Sequence, residues 1–200
     1  MVSRQRRDRK AENEMAAGAG QRNIVLAQTI WRTSQLTYNI NMNQKPKKIL
    51  GIDPGYGRLG WAILELNNGK DILIEAGCFE TSAELPHKER LGLIGKHIEE
   101  LFKKHNPQAL ALEKLFFYSN QKTALAVSEV RGLVTYLAGD RKVHEFTPAQ
   151  VKQSVCGYGK ADKKQVQKMV TLLLGLEEPP KPDDTADAIA VALCGLHSFD

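Results

Sequence analysis

The chain has 200 residues, 42% of them apolar and 26% charged, which suits one globular domain with a tail and excludes a fibrous or collagen-like chain. No apolar run approaches the roughly 18 residues that span a bilayer, and Cys78, Cys156 and Cys194 form no CxxC pair, which argues against a disulfide framework or a zinc site and for a reducing, cytoplasmic setting. The net charge of +5 divides into +7 over residues 1–48 and −2 over residues 49–200, so a nucleic-acid argument must rest on a local patch rather than on the total.

Residues 1–47 read as a disordered extension: "MVSRQRRDRKAENEMAAGAGQRN" is polar, charged and short of large apolar side chains. It lacks the apolar stretch of a secretory signal. Met42 is a candidate translation start, which would make the extension an upstream-start artefact.

Residues 48–198 carry the patterned domain. "ILGID" is an apolar strand that ends in the turn "DPGYG", and "LGWAILEL" and "DILIEAGCFE" follow as strands joined by the hairpin signal "NNGK". "RLGLIGKHIEELFKKH" places apolar residues at 91, 94, 98, 101 and 102, one stripe of a helix. "NPQALALEKLFF" contains a buried strand, "QKTALAVSEVRGLVTYLAG" an amphipathic helix and "KVHEFTP" a short strand. "TPAQVKQSVCG", "KADKKQVQKMVTLLLG" and "DDTADAIAVALCGL" complete the chain as helices. A hairpin meander followed by βαβ units predicts an α/β fold: a mixed sheet, antiparallel then parallel, covered by helices.

"GYGRLG", residues 55–60, matches the dinucleotide fingerprint G-x-G-x-x-G. That fingerprint must open a helix between parallel strands. Here the strand "WAILEL" follows, so a Rossmann reading fails and the glycines serve a tight turn and close strand pairing.

Acids at element ends carry more chemistry. Asp53 ends the strand "ILGID" and Glu113 ends "ALALE". Each alone reads as a turn or exit residue, but adjacent parallel strands bring their C-terminal ends together. At the last helix head, Asp184 and Asp187 are i,i+3 and Asp183 and Asp187 are i,i+4, so either pair shares a face with Cβ atoms about 5–6 Å apart. Carboxylates gathered in one cleft repel unless cations neutralise them, and hard oxygen donors select Mg²⁺ or Mn²⁺. Two such ions about 3.5–4 Å apart suit phosphodiester hydrolysis. Residues 141–168 supply the local patch: seven Lys/Arg, among them Lys152, Lys160, Lys163 and Lys164, against Glu145 and Asp162.

"ILGIDPGYGRLGWAI", "ALALEKLFF", "TPAQVKQSVCGYGKADKKQVQKMV" and "DDTADAIAVAL" together resemble the successive motifs of RuvC-type Holliday-junction resolvases, in order from about Lys48 to His197. The resemblance implies a ribonuclease H-like fold with helices on both faces, a homodimer, and symmetric Mg²⁺-dependent nicking of four-way DNA junctions in recombination and repair. It implies Asp53, Glu113, Asp184 and Asp187 as catalytic metal ligands for two Mg²⁺ ions, with Mn²⁺ as a substitute. Asp183 has no counterpart in that pattern and reads as a cap or dipole residue. Phe116, with Phe117 as neighbour, falls on the family's base-stacking aromatic, and Lys152 and Lys163 fall on its DNA-facing basic residues. The implied partners are junction DNA and the branch-migration complex RuvA-RuvB; the implied location is the bacterial cytoplasm, at the nucleoid. The rival readings are another ribonuclease H-like nuclease acting on branched DNA or RNA, and a non-catalytic junction-binding protein.

Overall fold

Three consecutive antiparallel strands open the domain in the computed structural model, which describes residues 47–114 and 121–198, with backbone alone at 121–123. They are β1 (Lys47–Asp53), β2 (Arg58–Asn67) and β3 (Lys70–Glu80). The β2–β3 loop is the two-residue Asn68-Gly69, with φ of 51° and 74°. Both residues take the left-handed conformation that a tight primed hairpin turn demands, which explains why Asn-Gly stands there. Then come α1 (His87–His105), β4 (Ala109–Glu113), α2 (Gln121–Leu137), β5 (Lys142–Phe146), α3 (Pro148–Cys156), α4 (Lys163–Leu174) and α5 (Asp183–Leu196). The element order matches the expectation. Lys47 already belongs to β1; residues 1–46, with Met42, lie outside the described residues.

The sheet runs β3-β2-β1-β4-β5, with β1 antiparallel to β2 and parallel to β4, and β4 parallel to β5. Both faces are covered, which is why β1 and β4 are continuously apolar. Leu50, Ile52, Ile63, Leu110 and Leu112 pack with Ile94 and Ile98 of α1 and Val130 and Val134 of α2. Ile49, Ala62, Leu64, Ala109 and Ala111 face the other way, against Val151 of α3, Val166 and Val170 of α4, and α5. Strand side chains alternate between faces, so Asp53 and Glu113, in step with Ile49 and Ala109, fall on the face that α5 covers.

That helix is the positional key to the site. Ile189, Val191 and Leu193 of α5 are fully buried, each contributing about 1.5–3 kcal/mol. The helix also lies unusually close to the sheet. A Cβ on Gly51 would meet Ala192 Cβ at 2.5 Å, and one on Gly60 would meet the Asp184 carbonyl oxygen at 2.1 Å. Gly60 therefore serves the approach of the helix to β2, beyond the strand pairing that the sequence suggests. Without those two absent side chains, the first turn of α5 could not sit over the ends of β1 and β4.

Candidate active site

Asp53 leaves the C-terminal end of β1 and Glu113 the C-terminal end of β4, one residue beyond the parallel pair Ile52 and Leu112. The first two turns of α5 add Asp184 and Asp187, and a helix N-terminus favours negative charge. Asp53, Glu113 and Asp187 line a cleft of ≈ 270 Å³ whose opposite wall is Pro148, Val151 and Lys152 of α3 with Lys163 and Val166 of α4. Asp184 stands at its margin, outside the lining residues. One of its oxygens, Oδ2, is buried and has no hydrogen bond, although Arg58 Nη1 stands 3.4 Å away. At that distance the contact is one of charge.

The basic wall is rigidly held. Thr147 and Gln150 form a capping box at the head of α3, and Asp162 and Gln165 form another at the head of α4. Between the helices Gly157 takes φ 81°, its carbonyl accepts from Gln153 Nε2 at 2.7 Å, and the Tyr158 hydroxyl bonds Gln165. The Asp162 carboxylate is thus committed to the Gln165 backbone amide, and the caps fix the helices from which Lys152 and Lys163 reach the cleft. Lys160 and Lys164 are exposed beside them, outside the cleft lining.

Burial and mutual repulsion dominate the acids. Burial pushes the Asp53 carboxyl well above the usual range, and Glu113, Asp187 and Asp184 push it further. Glu113 is pushed up to about 7 by burial and then by Asp187, against the opposing charges of Lys152 and Lys163. Asp187 is raised by burial and held back by Lys163. Lys163 Nζ lies 2.9 Å from Asp183 Oδ2 and 3.3 Å from Asp187 Oδ2. Asp183 is therefore no side-chain cap: Pro182 holds the cap position without a side-chain bond, and Asp183 anchors the lysine. The sequence also gave no hint of Arg58. Its only trace there is a basic residue two positions before Gly60, on the α5 face of β2.

Among the described residues no three Asp, Glu, His or Cys side chains form a ready-made metal cage. The donor chemistry nonetheless fits a hard divalent cation. The donors are all carboxylate oxygens, they repel one another, and one is buried without a hydrogen bond. Phe116 and Phe117 lie outside the described residues.

The family profile described as "Crossover junction endodeoxyribonuclease RuvC" matches residues 49–195. The chain belongs to the RuvC family. The crossover junction endodeoxyribonuclease RuvC of Alkaliphilus metalliredigens is 47% identical over 152 residues, covering 75% of this chain and 93% of that one. The RuvC structure of Thermus thermophilus superposes with a TM-score of 0.70 at 35% identity, over 75% of this chain and 93% of that one. The same coverage holds for T. thermophilus RuvC in complex with a Holliday junction substrate, with a TM-score of 0.68 at 33% identity. As a RuvC-family member the chain is a nuclease, an endonucleolytic hydrolase, and its mixed sheet is the ribonuclease H-like fold expected. The dinucleotide-binding alternative is excluded: β2, not a helix, follows the glycines.

Proposed function

We propose that this RuvC-family endonuclease resolves four-way (Holliday) DNA junctions in recombination and repair, with Asp53, Glu113, Asp184 and Asp187 holding two Mg²⁺ ions, or Mn²⁺ in their place. The observation that carries the reading is the convergence of the four acids, from two strand ends and one helix head, where the charges of Glu113, Asp187 and Asp184 each raise the Asp53 carboxyl. When bound, the divalent cations activate water and stabilise charge on the scissile phosphate and leaving oxygen. Asp53 and Glu113, deprotonated, anchor that charge from the floor of the cleft. Lys152 and Lys163 place ammonium groups where a backbone phosphate must enter. Lys160 and Lys164 extend the positive surface beyond the cleft, and Phe116 is assigned to stacking near the crossover.

A junction must be cut on two opposing strands, which suits two copies related by a two-fold axis. Helix α2 supports that arrangement, since Leu125 is 69% and Tyr136 80% exposed on it. We assign the dimer contact there. We assign the branch-migration complex RuvA-RuvB as partner and a bacterial cytoplasmic location at the nucleoid, on the analogy of the family. No helix among the described residues is long and apolar enough to cross a membrane. The nuclease unit is assigned to residues 47–198, one residue earlier than the boundary of 48 read from the sequence because Lys47 pairs in β1, and 1–46 to an extension outside it.

The experiment is amide substitution. Glu113→Gln and Asp187→Asn should lose junction cleavage in Mg²⁺ and keep junction binding, because the lost groups handle metal rather than DNA. Cleavage retained in Glu113→Gln contradicts the assignment.

A further inference from the structure

Arg58 touches the acid cluster without lining the cleft. The β2–β3 register sets it directly opposite Glu80, whose Oε1 accepts from Arg58 Nε at 3.0 Å. Its other arm, Nη1, stands 3.4 Å from Asp184 Oδ2. That oxygen is buried and has no hydrogen bond, so the guanidinium supplies charge while leaving the acceptor's bonding capacity unused. A buried carboxylate oxygen in this state is costly, and a hard cation at contact distance would satisfy it better. The two partners also differ in freedom. The Arg58 side chain is 51% exposed and Asp184 20%, so the arginine can turn outward while the acid stays. A planar fork of donors freed at the rim of a nuclease cleft matches a phosphodiester better than it matches another carboxylate already claimed by metal.

We propose that Arg58 is an exchangeable counterion of the active site: it neutralises Asp184 in the metal-free protein, yields that oxygen to the divalent cation, and then contacts a phosphate of the junction backbone, with Glu80 as its tether. The inference rests on Asp184 being a metal ligand. It makes Arg58 a DNA-contacting residue whose contribution to binding depends on metal, which a purely structural arginine would not show.

The test compares the unsubstituted protein with Arg58→Gln and Arg58→Lys. Junction affinity is measured against salt by fluorescence anisotropy in EDTA and in Ca²⁺, and Ca²⁺ binding to the free proteins by calorimetry. Arg58→Gln should bind Ca²⁺ about two- to five-fold more tightly, the range expected for removing one competing exposed ion pair. In Ca²⁺ it should lower the slope of log affinity against log salt by about 0.9, one phosphate contact, and leave the slope in EDTA unchanged. Arg58→Lys should keep the Ca²⁺ slope. Arg58→Gln matching the parent in both Ca²⁺ affinity and slope, while Asp53→Asn loses Ca²⁺, overturns the role of Arg58 alone. Equal slope losses in EDTA and Ca²⁺ also overturn it. Absence of Ca²⁺ binding in the parent overturns the metal reading, and this proposal with it.

Discussion

The ammonium of Lys163 lies 3.3 Å from Asp187 Oδ2, and the same nitrogen bonds Asp183 Oδ2 at 2.9 Å. One cation from α4 is thus held across the head of α5, where it restrains the upward pKa shifts of Asp53, Glu113 and Asp187. Lys163→Gln should therefore move the Glu113 titration midpoint of the metal-free protein above its present value of about 7. Carbon-detected NMR of the side-chain carboxyls reads this directly; a midpoint unmoved or lowered contradicts the electrostatic picture.

The same shift predicts how stability depends on pH. Glu113 titrates at about 7 in the fold against an ordinary 4.5, so the folded chain holds this proton more tightly than the unfolded chain. Its contribution is fully favourable below the ordinary value and is lost as pH rises through the folded one. Glu113→Gln should accordingly stabilise the metal-free protein at pH 8 by about 3 kcal/mol more than it does at pH 4. Urea unfolding at the two pH values checks this, and equal effects at both would refute it. Saturating Mg²⁺ should shrink the pH 8 advantage, because the cation then neutralises Glu113 in the parent.

Gly60 is the narrowest point between α5 and the sheet, since a Cβ there would reach 2.1 Å from the Asp184 carbonyl oxygen. Gly60→Ala must push the helix head away from β2. We expect a loss of about 1–3 kcal/mol in stability, as for other overpacked cores. Cleavage should fall further than stability alone explains, because Asp184 and Asp187 move with the helix. Wild-type cleavage in this variant would show that the helix position is not critical.

Lys160 and Lys164 are exposed and lie outside the cleft lining. If they contact backbone phosphates, Lys160→Gln and Lys164→Gln should each weaken junction binding across sequences and lower the salt slope by about 1. Their cleavage rates at saturating protein should stay near that of the parent. A lowered rate at saturation with an unchanged slope would place them in the chemistry instead.

Much of this site is visible in the sequence because its signals are local. Asp53 and Glu113 terminate apolar runs, and Asp187 shares a helical face with Asp183 or Asp184, so type and spacing point to these acids, while the choice of Asp184 over Asp183 rests on the family resemblance. The order of elements is equally local, since the Asn68-Gly69 turn and the 3.6-residue stripe of α1 both lie within short windows. What the sequence hides depends on register and on contacts between distant elements. Arg58 meets Glu80 only because of the β2–β3 register, which includes a shift between Ile63 and Leu64. Lys163 meets Asp183 because α4 packs beside α5, and no periodicity in either helix announces that pairing. Gly60 reads as a turn glycine until the helix above it is in view.

The most direct test of the central claim offers the purified protein a synthetic four-way junction, a linear duplex and an RNA–DNA hybrid, each with Mg²⁺ and with EDTA. The account predicts paired, symmetric nicks on opposing strands of the junction in Mg²⁺ alone. Equal cutting of the duplex or the hybrid, or junction cutting that persists in EDTA, would contradict it.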